Sequence, residues 1–344
     1  MGLYVVFSGS RLPLDPCKIF CATTRRPENR FMRTRDKPLK RFLNEARDEL
    51  SAMHKSIGSK AIARGSPEVL YHYTDANGLR GIVGNGTLWL SDIYTMNDPN
   101  ELRHGMSLCL ETLHTCCADS VIEFGPYLDV FDSIYMNRLS EFAQGFAICF
   151  SGDRSVTPLW SYYGDAHQGF ALGFRSRSLE DALTHAMRKD AIKSALTVLY
   201  DDALLRAEAI AALRLFASLF WRAGALDLTE YDQKSFMTDA SVMFSAYFVR
   251  LSALFKDPAF DHEQEYRFLS IYPEMTLMRA PPKVRDRNGT PIMYIEMGWK
   301  RFDPDCLVEV VTGSRNRVPD EEIRSILRDG LGEARANKVR IVRL

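Results

Sequence analysis

Four short stretches of the chain carry residue types whose spacing could do chemistry. In the first, His72-Tyr73-Thr74 closes the apolar run "VLYHY" just before "DANGLRG". A strand end that feeds a helix N-terminus gathers free backbone N–H groups, and ligands sit there. Read structurally, the same His72 is a half-buried, hydrogen-bonded ring and Tyr73 a core aromatic. The second stretch, "MNDPNEL", places Asn97, Asp98 and Pro99 in a turn, with Asp98 as helix cap and Glu101 three residues on. Capping alone accounts for that pattern. The third, "FSGDRSVTPLWSYYGDAHQGFALGF", sets Trp160, Tyr162, Tyr163 and His167 in a loop-like link between two strands. Those rings either offer flat faces to a planar ligand or cover a sheet edge. In the fourth, "DHEQEYRF", an extended backbone turns Glu263, Glu265 and Arg267 to one face and Tyr266 and Phe268 to the other. Two carboxylates and an arginine form either a surface ion pair or a carboxylate held ionised for work on a sugar.

The elements that must position these residues follow from periodicity. Residues 1–37 form a flexible basic leader: "RRPENRFMRTRDKPLKR", Arg25 to Arg41, is rich in basic residues and has little period. From Pro38, Leu39, Phe42, Leu43, Ala46, Leu50 and Met53 recur at helical spacing, predicting an N-terminal helix over 38–64. A single α+β domain is expected over 65–344. It begins with the strand Val69–Tyr73, a helix "ANGLRGIV" capped by Thr74 or Asp75, and the strand "TLWLS" containing Ser91. Helices follow over 99–117 and 127–143, then strands over Gly145–Ser151 and Gly169–Phe174. From Leu179 to Phe255 apolar residues fall at i, i+3, i+4 and i+7, which reads as a helical insertion between parts of the sheet. Strands return at Glu265–Tyr272, Pro291–Met297, Leu307–Gly313 and Lys338–Leu344, the last two bracketing a helix that starts at "PDEEIRSIL".

Composition narrows the class. The chain has 344 residues, enough for a substantial core, with 44 basic and 44 acidic side chains. That balance argues against a general nucleic-acid coat and leaves room for a local basic patch. The 7 cysteines form no C-x-x-C pair and no zinc-type spacing, so no metal site is expected, and reduced thiols fit a cytoplasmic setting. The longest apolar run, "LFASLFW", is too short to span a bilayer, and no membrane partner is expected.

Taken in order, H-Y-T, L-W-L-S, N-D-P-x-E, W-S-Y-Y-G-D-x-H-x-G-F and E-x-E-Y-R resemble a widespread bacterial family, a domain of unknown function, from about Leu70 through the final strand. That family in turn resembles the ADP-ribosyltransferase-like folds. The resemblance implies a split mixed or antiparallel sheet with a helical insertion, and NAD as a substrate whose nicotinamide–ribose bond is cleaved. It implies catalytic roles for Glu265, which would steady the oxocarbenium-like transition state, for Glu263, which would orient an acceptor, and for His72, which would orient NAD. Around the dinucleotide it places Tyr73, Thr74, Ser91, Asn97, Trp160, Tyr162, Tyr163, His167 and Arg267. The Ser-Thr-Ser motif of the transferases has no clean match, and Ser91 and Tyr162 compete for its place.

This reading requires the Glu265 charge to face the His72 imidazole closely enough to hold one ribose between them. A carboxylate beside a developing cation gains more in the transition state than in the ground state, as catalysis demands. The acceptor is not legible, and a toxin or phage-defence role enters only by analogy. Two rivals stand beside it: a nucleic-acid-binding or processing module using Arg25–Arg41 and stacking rings, and a non-catalytic interaction domain on the same fold.

Overall fold

A computed structural model describes residues 36–62, 67–95, 100–118, 143–186, 192–273, 281–287 and 289–344. In chain order these form α1 (Asp36–Ile62), β1 (Val69–Thr74), α2 (Ala76–Asn85), β2 (Thr87–Asp92), α3 (Asn100–Ala118), β3 (Ala143–Ser151), α4 (Thr157–Tyr162), β4 (Phe170–Arg175), α5 (Ser176–Ala186), β5 (Ile192–Thr197), α6 (Asp202–Gly224) and α7 (Glu230–Ser252). A 3-10 turn, Pro258–Glu263, leads into β6 (Glu265–Pro273), then β7 (Lys283–Arg287), β8 (Thr290–Gly298), β9 (Leu307–Thr312), α8 (Asp320–Leu331), α9 (Glu333–Ala336) and β10 (Arg340–Arg343). The result is an α+β protein on one open sheet, antiparallel except where β10 runs parallel to β9.

The sheet is organised by β3. Its whole length pairs with β6, which leaves a single free edge. Two strands share that edge: β1 at Ser151 and β2 at Ala147 and Phe146. The ladder positions between them, 148–150, pair with neither, so the sheet forks there. One wing is β1-β4-β9-β10, the other β2-β8-β7, and β3-β6-β5 is the trunk.

Layers follow from strand alternation. On one face Leu70, Phe150, Phe174 and Phe268 join Leu79 of α2, Leu179 of α5 and Leu327 of α8 in one core. On the other, Ala147, Leu269 and Ile271 of the trunk meet α1, α3, α6 and α7, where Phe216, Phe244 and Phe248 are buried. Burying each such ring contributes about 1.5–3 kcal/mol. That second face continues over the β1–β4 wing as a small aromatic cluster of Tyr71, Tyr73 and Trp160.

Local signals explain most boundaries. The Asp75 carboxylate accepts from Gly78 N at 2.7 Å, so Asp75 rather than Thr74 caps α2. Gly86, at φ 65°, ends that helix in the left-handed region a glycine adopts without strain. Two expectations need correction. The link after β3 contains a one-and-a-half-turn helix, α4, because Pro158 is tolerated in a first turn. Within the run read as helical, 179–255, lies β5, whose Leu196 and Ala195 face opposite cores and so lack a one-sided pattern. The expected leader, residues 1–37, lies almost wholly outside the described residues, as does nearly all of the expected 127–143 helix.

Candidate functional site

One cross-strand row runs through the candidate site. Glu309 of β9 pairs with Gly173 of β4, Gly173 with Tyr71 of β1, Tyr71 with Ser151 of β3, and Ser151 with Glu265 of β6. Directly opposed residues share a face, so both carboxylates leave the same side of the sheet. Four strand intervals separate their backbones, roughly 19 Å.

At the trunk end of this row, Glu265 is 3% exposed. Its Oε1 accepts from Arg267 Nε at 2.7 Å and its Oε2 from Lys256 Nζ at 3.2 Å. Lys256 also bonds Glu263 at 2.5 Å, and Arg267 donates to the Ala253 carbonyl at 2.6 Å. Burial pushes the Glu265 carboxyl upward. The charges of Arg267 and Lys256, with hydrogen bonds from the Cys149 and Arg267 side chains, outweigh it and hold the group well below the usual carboxylate range. Glu263 reaches this cluster differently from the strand alternation expected of it. It ends the 3-10 turn, and Gln264, at φ 45°, stands between it and β6.

His72 sits at the fork. Its Nδ1 lies 3.1 Å from the Cys149 carbonyl, one of the ladder positions that neither wing uses. Its ring packs 5.5 Å from Phe150. Burial lowers its pKa; the Cys149 hydrogen bond opposes this and the Arg285 charge adds to it. Alternation along β1 sends His72 to the face of its partner Leu172, away from Tyr71. The expected ribose cradle between His72 and Glu265 is therefore not what the register builds. The two side chains leave opposite faces, and Cys149 joins them, through its carbonyl to His72 and its side chain to Glu265.

At the wing end, Glu309 is wholly buried. It accepts from the Tyr71 hydroxyl at 2.6 Å, Arg340 at 2.7 Å and Arg154 at 3.2 Å. Burial and this carboxylate push the Tyr71 phenol up to about 12. Gly173 lies between them; a Cβ there would stand 2.7 Å from Glu309 Cγ and 3.0 Å from Tyr71 Cε1. The Arg154 backbone is clamped by two rings, Trp160 Nε1 donating to Arg154 O at 2.9 Å and Tyr73 OH to Asp153 O at 2.8 Å. Glu309, Arg154, Tyr71 and Lys256 were all missed by motif reading. Glu309 stands alone in "LVEVVT", an acid in an apolar strand, and that was its one signal.

The remaining expected residues divide. Tyr73 and Trp160 meet edge to face at 5.0 Å. Trp160 is 2% exposed, so neither of its faces is open, while Tyr162, two residues on, is 82% exposed and turned away. Tyr163 packs against the Tyr71 cluster. The turn after α4 holds Asp165, Ala166 and His167 at φ 50°, 50° and 71°, three successive non-glycine residues in the left-handed region. His167 Nε2 lies 3.1 Å from Ser161 Oγ. Ser91 shares the Glu265 face and accepts from Arg285 at 3.0 Å. Thr74 closes β1 opposite Phe170, and Asn97 lies outside the described residues. Among the described residues no group of three or more His, Cys, Asp or Glu could hold a metal ion, and no helix is long and apolar enough to cross a membrane.

Residues 159–268 match the model of a family described as "Protein of unknown function (DUF2971)". The matched stretch runs from α4 to β6, so it contains Trp160, the strained turn, Lys256 and the Glu263–Arg267 cluster. His72 and Ser91 lie before it, and Glu309 lies after it. No curated protein and no solved structure matches the chain.

Proposed function

We propose that this protein is an NAD-consuming enzyme of the ADP-ribosyltransferase-like kind, cleaving the nicotinamide–ribose bond with Glu265 as the charged group; with His72 on the opposite face, this form of the reading drops the ribose cradle between the two and rests on Glu265 alone. The observation that carries the reading is the forked sheet, with Ser91 on one wing and Glu265 on the trunk, both on the same face. At such a fork the residues on one face come from different strands, and the carboxylate among them is held ionised by its neighbours. Glu265 now partners a cation, the Lys256 ammonium. In the reaction the ribose oxocarbenium would take that position as nicotinamide leaves, and the carboxylate would stabilise the charge that develops. His72, on the opposite face, acts as a positioning residue that holds the open edge of β3. The segment Lys256–Gln264 covers the carboxylate, so the reading requires it to lift. Gln264, in the left-handed region, is the joint at which it meets β6.

A second reading is favoured by one observation, that both Glu265 oxygens are occupied by buried cations. On that reading the cluster is structural and the fold is a non-catalytic interaction domain. Nicotinamide release from NAD by the full chain, with and without a candidate acceptor, decides between them. The enzyme reading expects release by wild type and at least a hundredfold loss in Glu265→Gln whose circular dichroism is unchanged, the scale of removing one preorganised electrostatic group. Wild type that releases nothing, or a variant that releases as much, leaves the structural reading.

A further inference from the structure

We propose that the face of the β2-β8-β7 wing binds single-stranded nucleic acid, with bases stacking on Trp89 and the backbone tracking a basic row on β7. The inference is independent of NAD chemistry and of the Arg25–Arg41 run.

The row follows from register. Lys283, Arg285 and Arg287 oppose Tyr294, Ile292 and Thr290 of β8, while Trp89 and Ser91 of β2 oppose Glu296 and Tyr294. All these side chains share one face, and the three cations stand at alternate positions, about 7 Å apart along the strand. Such a line of charge suits the phosphates of an extended strand better than one compact anion. Beside it lies an aromatic platform. The Trp89 and Tyr294 rings are 4.4 Å apart and tilted by 33°, and the Arg285 guanidinium sits 5.2 Å from the Trp89 ring and 5.9 Å from Tyr294. Of the two rings only Trp89 reaches the surface: it is 36% exposed, an unusual place for a tryptophan that only had to fill a core, while Tyr294 is buried.

Charge on an edge strand has a plainer use, since it blocks pairing with other sheets, and among the described residues β7 is the last strand of its wing. Edge protection explains Lys283, which Glu296 holds at 2.7 Å. It explains neither the exposed indole nor Arg285, whose guanidinium lies over that ring and donates to Ser91. Stacking on an indole tolerates any base and Arg contacts add to it, whereas a duplex hides its base faces.

Fluorescence anisotropy of the full chain with a labelled oligothymidine tests this. The expected result is salt-dependent binding, weaker for a matching duplex. Trp89→Ala should weaken it about tenfold, with Trp89→Phe recovering most of the loss. Arg285→Gln should flatten the dependence of log affinity on log salt by about 0.7, one phosphate contact. Absence of binding at low salt overturns the proposal. So does binding that survives both substitutions, or binding that deletion of the Arg25–Arg41 run abolishes while Trp89→Ala leaves it unchanged.

Discussion

Glu265 and Glu309 end the same cross-strand row on the same face of one sheet, and both are buried, yet their partners differ in kind. The cations around Glu265 are themselves entombed: the Lys256 side chain is 6% exposed and that of Arg267 is 3%. Those around Glu309 reach in from solvent, with side-chain exposures of 42% for Arg154 and 69% for Arg340. A closed cluster has left water completely, so every charge in it depends on every other. An open cluster buries only the acid, and its arginines keep hydration when the acid is removed. The first arrangement fixes a covering segment over the trunk. The second anchors the loop after β3 and the terminal strand to the wing.

Lys256→Met breaks this comparison most sharply. It leaves Glu263 and Glu265 sharing a site with one ammonium fewer, and a loss of about 3–5 kcal/mol in urea unfolding is expected. Arg340→Met, at the open cluster, leaves Glu309 its bonds from Arg154 and Tyr71 and should cost about 1.5–3 kcal/mol in the same assay. Equal losses would mean the two clusters do not differ in the way their burial indicates. Next in size is Gly173→Ala. The added methyl would press on Glu309 at a distance real contacts essentially never show and crowd Tyr71 tightly, on a backbone that cannot yield without disturbing two ladders. Overpacking of this sort costs about 1–3 kcal/mol, and an unchanged midpoint would show that Glu309 does not lean over this position.

The closed cluster also gives an acid-sensitive term. The folded-state pKa of Glu265 lies below its ordinary value of 4.5, so its contribution is complete above that value, declines below it and is lost once pH has fallen through the folded-state pKa. Unfolding free energy measured from pH 6 to pH 3 should therefore fall less steeply in Glu265→Gln than in wild type. A parallel pair of curves would place the acid sensitivity elsewhere.

The sequence disclosed the parts of this design that obey a period. β1, β2, β4 and β6 alternate or run apolar between turn residues, and α1, α6 and α7 repeat their apolar positions, so those elements were readable. The pairing order was not. Nothing in "AQGFAICFS" says that two strands will share one edge of β3, because that depends on long-range register. The same limit hid the closed cluster. Glu265 and Arg267 were visible as a pair, but Lys256 precedes the strand on a non-repetitive segment, and its burial comes from the fold. Glu309 was passed over because a lone acid in a strand has no local partner; its partners arrive from residues 71, 154 and 340. The β7 row was legible in "KVRDR", yet without a neighbouring strand to pair with it the alternation had no face to belong to.

The smallest effect expected has the opposite sign and tests the attachment of the open wing. The turn Asp165-Ala166-His167 is held in the left-handed region by tertiary bonds: His167 N to Trp160 O at 3.1 Å, Arg315 N to His167 O at 3.0 Å, and Asn316 Nδ2 to Gly169 O at 3.0 Å. An ordinary L-residue in that region costs roughly 1–2 kcal/mol, whereas a glycine adopts it freely and loses about 0.5–1 kcal/mol of backbone entropy instead. Ala166 is exposed and has no side chain beyond its Cβ, so Ala166→Gly removes strain and no packing. A gain of roughly 0.5–1 kcal/mol is expected. The same change at Ala259, in the exposed 3-10 turn near the closed cluster, relieves no such strain and should be neutral or destabilising. If the two substitutions shift the unfolding midpoint alike, the turn is not strained, and the loop that carries Arg154 to Glu309 is held by its hydrogen bonds alone.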